Sequence, residues 1–145
     1  GNRLDIRYKM DEDPIKHLAS QGPWMSVVHL VLGAQAKLLF SGIVVALGAV
    51  DGDVCHQAWH RDGDHLFDDT ESPCHCLNVF VPLVDIHVSN GPTEFILGTH
   101  CKRDRPPEEA STVVACTCAA GTAIIFDYRI YHRGSANQTE DPRPC

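Results

Sequence analysis

The chain has 145 residues, 43% of them hydrophobic, and a formal net charge of −7. That is enough for one domain with a buried core, and the acidic balance argues against a general nucleic-acid binder. No apolar run approaches the roughly 18 residues that a membrane-spanning helix needs, and Gly1-Asn2-Arg3-Leu4-Asp5 lacks a signal-peptide layout. Seven cysteines, an odd number, fit free thiols in a reducing compartment, and so a cytoplasmic location, better than a disulfide framework.

Residues 1–13 are polar and charged and read as a surface lead-in. Gly22-Pro23-Trp24 opens a helix, with Pro at a tolerated early position. Trp24, Val27, Val28, Val31 and Leu32 follow helical spacing, and Gly33 ends the helix. Residues 37–50 are apolar and β-branched and predict one or two buried strands. The chain turns over 48–53, forms another strand over 54–62, and loops through the polar stretch 63–73. A strand within 74–84 centres on Leu77-Asn78-Val79-Phe80-Val81, with Pro82 at its edge. Asn90-Gly91-Pro92 is a turn signal before a short strand at 93–97. A charged loop spans 102–110, and 111–116, 123–127 and 131–132 read as three more short strands. Short strands, regular turns and almost no helix predict an all-β antiparallel sandwich or barrel. No internal repeat or low-complexity segment interrupts it.

Side chains alternate along a strand, so His60 and Asp62 would share a face while Arg61 points away. With His132 from a neighbouring strand they would form a triangular two-His, one-carboxylate face whose open positions suit Fe(II). Taken alone, a His-x-Asp pair is weak evidence: with nine histidines, chance supplies roughly 0.8 such pairs in this chain. His56 would lie on the same strand face and is a rival ligand. His17, His29, His65, His75 and His87 read as surface or core histidines.

Several stretches read together carry more. Gln57-Ala58-Trp59-His60-Arg61-Asp62, Val81-Pro82-Leu83-Val84-Asp85, Asn90-Gly91-Pro92-Thr93-Glu94-Phe95-Ile96-Leu97-Gly98-Thr99-His100, Gly121-Thr122-Ala123-Ile124-Ile125-Phe126-Asp127 and the run from His132 to Thr139, closing on Arg143, occur in one order. In these the chain resembles the phytanoyl-CoA dioxygenase family of Fe(II)- and 2-oxoglutarate-dependent oxygenases. The resemblance implies a double-stranded β-helix, or jelly roll, with a short N-terminal helix, as one domain over 1–145. It also implies iron held by His60, Asp62 and His132, with O2 and 2-oxoglutarate as co-substrates. Arg143 would bind the distal carboxylate of 2-oxoglutarate, as a planar guanidinium can through two parallel hydrogen bonds. Asn78 would contact the co-substrate, and His100 would be a pocket residue.

Leu97 stands where the family often has Pro, Thr99 where Ser is common, and Gly134 where some members carry a Ser that helps hold the co-substrate. The chain is also shorter at both ends than the family usually is. The implied reaction is hydroxylation of an unactivated C–H in a small molecule, because related halogenases lack the carboxylate that Asp62 supplies. No nucleic-acid or membrane partner is expected. Three alternatives stay open: an inactive jelly-roll binding module, a cupin-like metal enzyme that does not use 2-oxoglutarate, and a zinc site from Cys74, Cys76, Cys116 and Cys118.

Overall fold

The computed structural model describes residues 3–8, 15–49, 55–103 and 112–145. The chain runs β1 (Arg3–Tyr8), α1 (Ile15–Gln21), α2 (Met25–Leu32), β2 (Ser41–Ala46), β3 (Leu77–Phe80), β4 (Thr93–Ile96), β5 (Val113–Cys116), β6 (Ile124–Asp127), β7 (His132–Gly134) and β8 (Arg143–Pro144). These strands form three small sheets in the orders β1-β2-β8, β3-β6 and β5-β4-β7, and every pairing is antiparallel. Among the described residues no helix is long and apolar enough to cross a membrane.

Four expectations are corrected. Residues 3–8, read as lead-in, form β1, because Leu4, Ile6 and Tyr8 alternate with Arg3, Asp5 and Arg7 and the whole run pairs with β2. A second helix, α1, precedes the one that Gly33 ends. Only 41–46 of the apolar stretch 37–50 is strand, while Leu39 and Phe40 stay exposed. The described part of 54–62 is extended but is no regular strand. There Gly134 N–H bonds the side-chain Oε1 of Gln57, and Ala58 O bonds the ring of His60, so side chains take ladder positions. The acidic run 11–13 and most of the loops expected at 48–53 and 102–110 lie outside the described residues.

The core lies where β4, β6 and the segment before β7 meet. Phe95, Phe126 and Ile130 are buried together, with Phe80 and Ile124 packed against them. Phe126 meets Phe80 edge-on at 5.0 Å and Phe95 at 4.8 Å. These aromatic pairs also wall the ring of His132, 5.1 Å from Phe126.

Two turns set the geometry around that core. At Asn90, the side-chain carbonyl accepts His87 N–H and the amide donates to Asp85 O. Gly91 then takes φ 80° with Ser135 O only 2.7 Å from where a Cβ would sit, so a side chain there has neither the backbone region nor the room. Between β6 and β7, Asp127 receives hydrogen bonds from Arg129 Nε at 2.9 Å and Nη2 at 2.7 Å, and Arg129 is 4% exposed. Burial alone would raise the Asp127 carboxyl, but the bonds from Arg129 outweigh it and bring its pKa to about 2.

That depression makes a testable statement about acid stability. The folded pKa lies below the ordinary carboxylate value of 3.8, so the contribution of the pair is complete above about pH 4 and is lost as pH falls toward 2. Asp127→Asn is expected to cost about 3 kcal/mol at neutral pH, by leaving Arg129 buried without its partner. It should also flatten the loss of stability between pH 4 and 2, as read by urea denaturation across that range. An acid limb identical to wild type would contradict the assignment.

Candidate metal centre

Two segments far apart in sequence meet through their backbones. His60 N–H donates to His132 O at 3.0 Å, and His132 N–H returns to His60 O at 2.9 Å. Residues that exchange both bonds in an antiparallel pair have their side chains on one face. The opposite face confirms the register: the Arg133 guanidinium lies over the Trp59 ring, and that of Arg61 over Tyr131. His60 and Asp62 therefore turn inward with His132, while Trp59 and Arg61 turn out.

His132 Nε2 lies 3.4 Å from Asp62 Oδ2, and His60 Nε2 lies 3.9 Å from Asp62 Oδ1. One donor atom from each of the three residues falls within 4.8 Å of the others. Cis ligands about 2.1 Å from one ion lie about 3 Å apart, so a small inward adjustment lets all three share a metal. Ring tautomers agree. His60 Nδ1 is 2.9 Å from Ala58 O and His132 Nδ1 is 3.0 Å from Ile130 O. A carbonyl can only accept, so each Nδ1 carries a proton and each Nε2 is the ring nitrogen turned toward the centre, where a metal would take its lone pair.

The turn between β6 and β7 serves two of the ligands. Ile130 O orients His132, and Tyr128 O accepts Asp62 N–H at 3.1 Å. The Asp62 carboxylate is also held by the Asn78 amide, which donates at 2.5 Å to Oδ2, the oxygen that lies 3.4 Å from His132 Nε2. Burial works against charge on Asp62, but a hydrogen bond and charge from His132, charge from His60 and the Asn78 amide outweigh it and hold its pKa below the ordinary value. His132 is 3% exposed, while Asp62 is exposed and His60 partly so. The centre is rigid on its core side and open on the other.

The remaining sequence expectations divide. Arg143 is 3% exposed, on β8 opposite Ala46. The loop before it is tied by Asn137, whose amide donates to Asp141 O and whose carbonyl accepts Thr139 N–H. Burial pushes the pKa of Arg143 down, no Asp or Glu among the described residues offsets it, and its buried Nε has no hydrogen-bond partner. Such a cation suits an anion supplied from outside. Asn78, expected at the co-substrate, gives its amide to Asp62.

His56 is exposed and does not join the centre; strand alternation does not extend back through the irregular backbone at Gln57 and Ala58. His100 lines a small cleft with His65, Glu71, Ser72, Cys101 and Arg129 that contains none of the three ligands. The four cysteines of the zinc alternative form no common group among the described residues. Cys74 is pushed up to about 12 by burial and then by Asp127, which favours the thiol over the thiolate that zinc needs. Sequence reasoning missed the anchoring by Gln57 Oε1 and by the Tyr128 carbonyl. A Gln three residues before the first ligand is a faint signal for the former, and a backbone carbonyl gives none.

The profile of the phytanoyl-CoA dioxygenase (PhyH) family matches residues 6–145. The chain belongs to that family. Among curated relatives, dioxygenase easH of Epichloe festucae var. lolii is 34% identical over 89 residues, 59% of this chain and 48% of its own length. Fe(II)/2-oxoglutarate-dependent dioxygenase nvfF of Aspergillus novofumigatus is 32% identical over 88 residues, 59% of this chain and 30% of its own. The chain thus spans about half or less of the length of these relatives. The crystal structure of the epimerase SnoN in complex with Fe3+, alpha ketoglutarate and nogalamycin RO superposes with a TM-score of 0.78 at 19% identity, over 99% of this chain and 60% of that one. At that identity the likeness speaks for the fold, the jelly roll expected of a PhyH member.

Asn78 tests the centre without removing a ligand. Asn78→Ala frees the Asp62 carboxylate, and is expected to weaken Mn(II) binding about 10- to 100-fold, measured by metal titration. Affinity equal to wild type would mean that Asp62 is held by something else.

Proposed function

We propose that this PhyH-family chain is an Fe(II)- and 2-oxoglutarate-dependent oxygenase that hydroxylates a C–H bond of a small-molecule substrate. The observation that carries the reading is the set of two Nε2 atoms and one carboxylate on one face, each ring held at its Nδ1 and the carboxylate held by Asn78. Neutral imidazoles with a hard carboxylate suit Fe(II) and leave positions for a chelating co-substrate and O2. The buried, acid-free guanidinium of Arg143 fits the distal carboxylate of 2-oxoglutarate.

His60, Asp62 and His132 would hold the metal, which with 2-oxoglutarate and O2 supplies oxidation of C–H to C–OH as 2-oxoglutarate becomes succinate and CO2. The chain itself positions and shields. Phe95 and Phe126 keep water from the inner side of His132. Asn78 holds the Asp62 carboxylate in place, and Arg143 would orient the co-substrate. Substrate would approach over the open side, beside Asp62 and the loop 63–73, where Leu66 and Phe67 offer apolar surface. The carboxylate of Asp62 favours hydroxylation over halogenation, since it occupies the place a halide would take. An inactive binding module is not favoured, because the three candidate ligands and a buried cation with no acid partner among the described residues are present together. The seven free thiols support a reducing compartment such as the cytoplasm.

Succinate formation from 2-oxoglutarate tests the reading. Asp62→Ala is expected to abolish it, and Arg143→Ala to raise the 2-oxoglutarate concentration needed for half-maximal rate by roughly tenfold or more. Unchanged turnover in either variant would remove that residue from the assignment.

A further inference from the structure

The cation site has a second member. Arg3 on β1 pairs in register with Ala46 on β2, and Ala46 pairs with Arg143 on β8. Residues directly opposite one another across neighbouring strands share a face. Arg3, Ala46 and Arg143 therefore form one row, two long cationic arms separated by a buried methyl group that is 2% exposed. Arg3 Nη2 donates to Ser135 O at 3.1 Å. A Cβ on Gly134 would overlap the Arg3 guanidinium, so that guanidinium fills the space where any other residue at 134 would place its side chain.

That space adjoins the metal face. Gly134 lies two positions after His132 on β7, so the side-chain directions of the two coincide, about 6.6 Å apart along the strand. Arg3 and Arg143 each feel the loss of solvent, and Arg3 also feels the charge of Arg143. No Asp or Glu among the described residues compensates either one. Two like charges in one row and partly out of water are stabilised when an anion joins them.

We propose that Arg3 is a second anchor for the distal carboxylate of a 2-oxo diacid, acting with Arg143 across Ala46, and that Gly134 is small so that Arg3 can reach it. This rests on the 2-oxoglutarate reading of the same centre. Arg3 is a positioning and specificity residue: it selects a co-substrate that ends in a carboxylate.

The test is calorimetric titration of the full chain, loaded with Mn(II) and kept free of oxygen, with two acids. One is 2-oxoglutarate; the other is 2-oxopentanoate, which keeps the chelating end and replaces the distal carboxylate with a methyl group. Arg3→Met is expected to weaken 2-oxoglutarate about tenfold and to leave 2-oxopentanoate unchanged. Arg3→Lys should recover part of the loss, and Gly134→Ala, which displaces the guanidinium, should follow Arg3→Met. Equal weakening of both acids in Arg3→Met would reveal a merely structural role and overturn the proposal, as would unchanged 2-oxoglutarate binding. A wild-type protein that does not prefer 2-oxoglutarate to 2-oxopentanoate would overturn the co-substrate reading itself, and this proposal with it.

Discussion

Two peptide hydrogen bonds, exchanged between His60 and His132, carry the rest of the site. They join segments that are remote in sequence, and the loop entropy of doing so is recovered only by the packing behind them. That packing is aromatic and local. Phe126 touches Phe80, Phe95 and the ring of His132, so the ligand most deeply buried is the one the core holds. The turn between β6 and β7 adds the second constraint, because its carbonyls bind both the His132 ring and the Asp62 backbone. A buried ion pair, Asp127 with Arg129, stiffens this turn, so its worth lies in placing two ligands as much as in stability.

The centre follows a pattern common to metal sites, in which each candidate ligand has a second hold. His60 is held by Ala58 O, His132 by Ile130 O and Asp62 by Asn78. Two of these holds come from backbone carbonyls two residues before the histidine they bind. The same local device thus appears on both sides of the His60–His132 pair. The third hold comes from β3, which ties the centre to a different sheet.

Much of this was legible in residues. Asn90-Gly91-Pro92 reads as a turn because each of its residues has a distinct conformational role, and β4 follows at once. The central strand around Val79 and Phe80 and the strand at Ile124–Asp127 announce themselves by β-branched and aromatic content. The three candidate ligands were legible as types and order, and the structure brings them together. What lay hidden has physical causes. β1 alternates apolar and charged residues, and its charges drew a surface reading although alternation is a strand signal. β8 is two residues long and exists only because Asn137 ties the loop before it. The segment at His60 lost regular pairing to its own side chains, which no propensity scale registers. Asn78 was expected at the co-substrate, whereas its partner in the structure is Asp62, a contact set by the pairing of β3 with β6 and invisible in linear spacing.

Charge gives the site a direction. At one end stands Asp62, an anion beside two imidazoles; at the other, Arg143 has no acid for a partner among the described residues and shares its row with Arg3. A molecule with a chelating keto acid at one end and a carboxylate at the other meets opposite requirements at its two ends, and only one orientation satisfies both. Where charges are partly desolvated, each interacts several times more strongly than in water, so such a polarity would orient the molecule. Shape need contribute little. Ala46 and Gly134 matter here for what they lack: a methyl group and a bare Cα leave room for two guanidinium arms to converge.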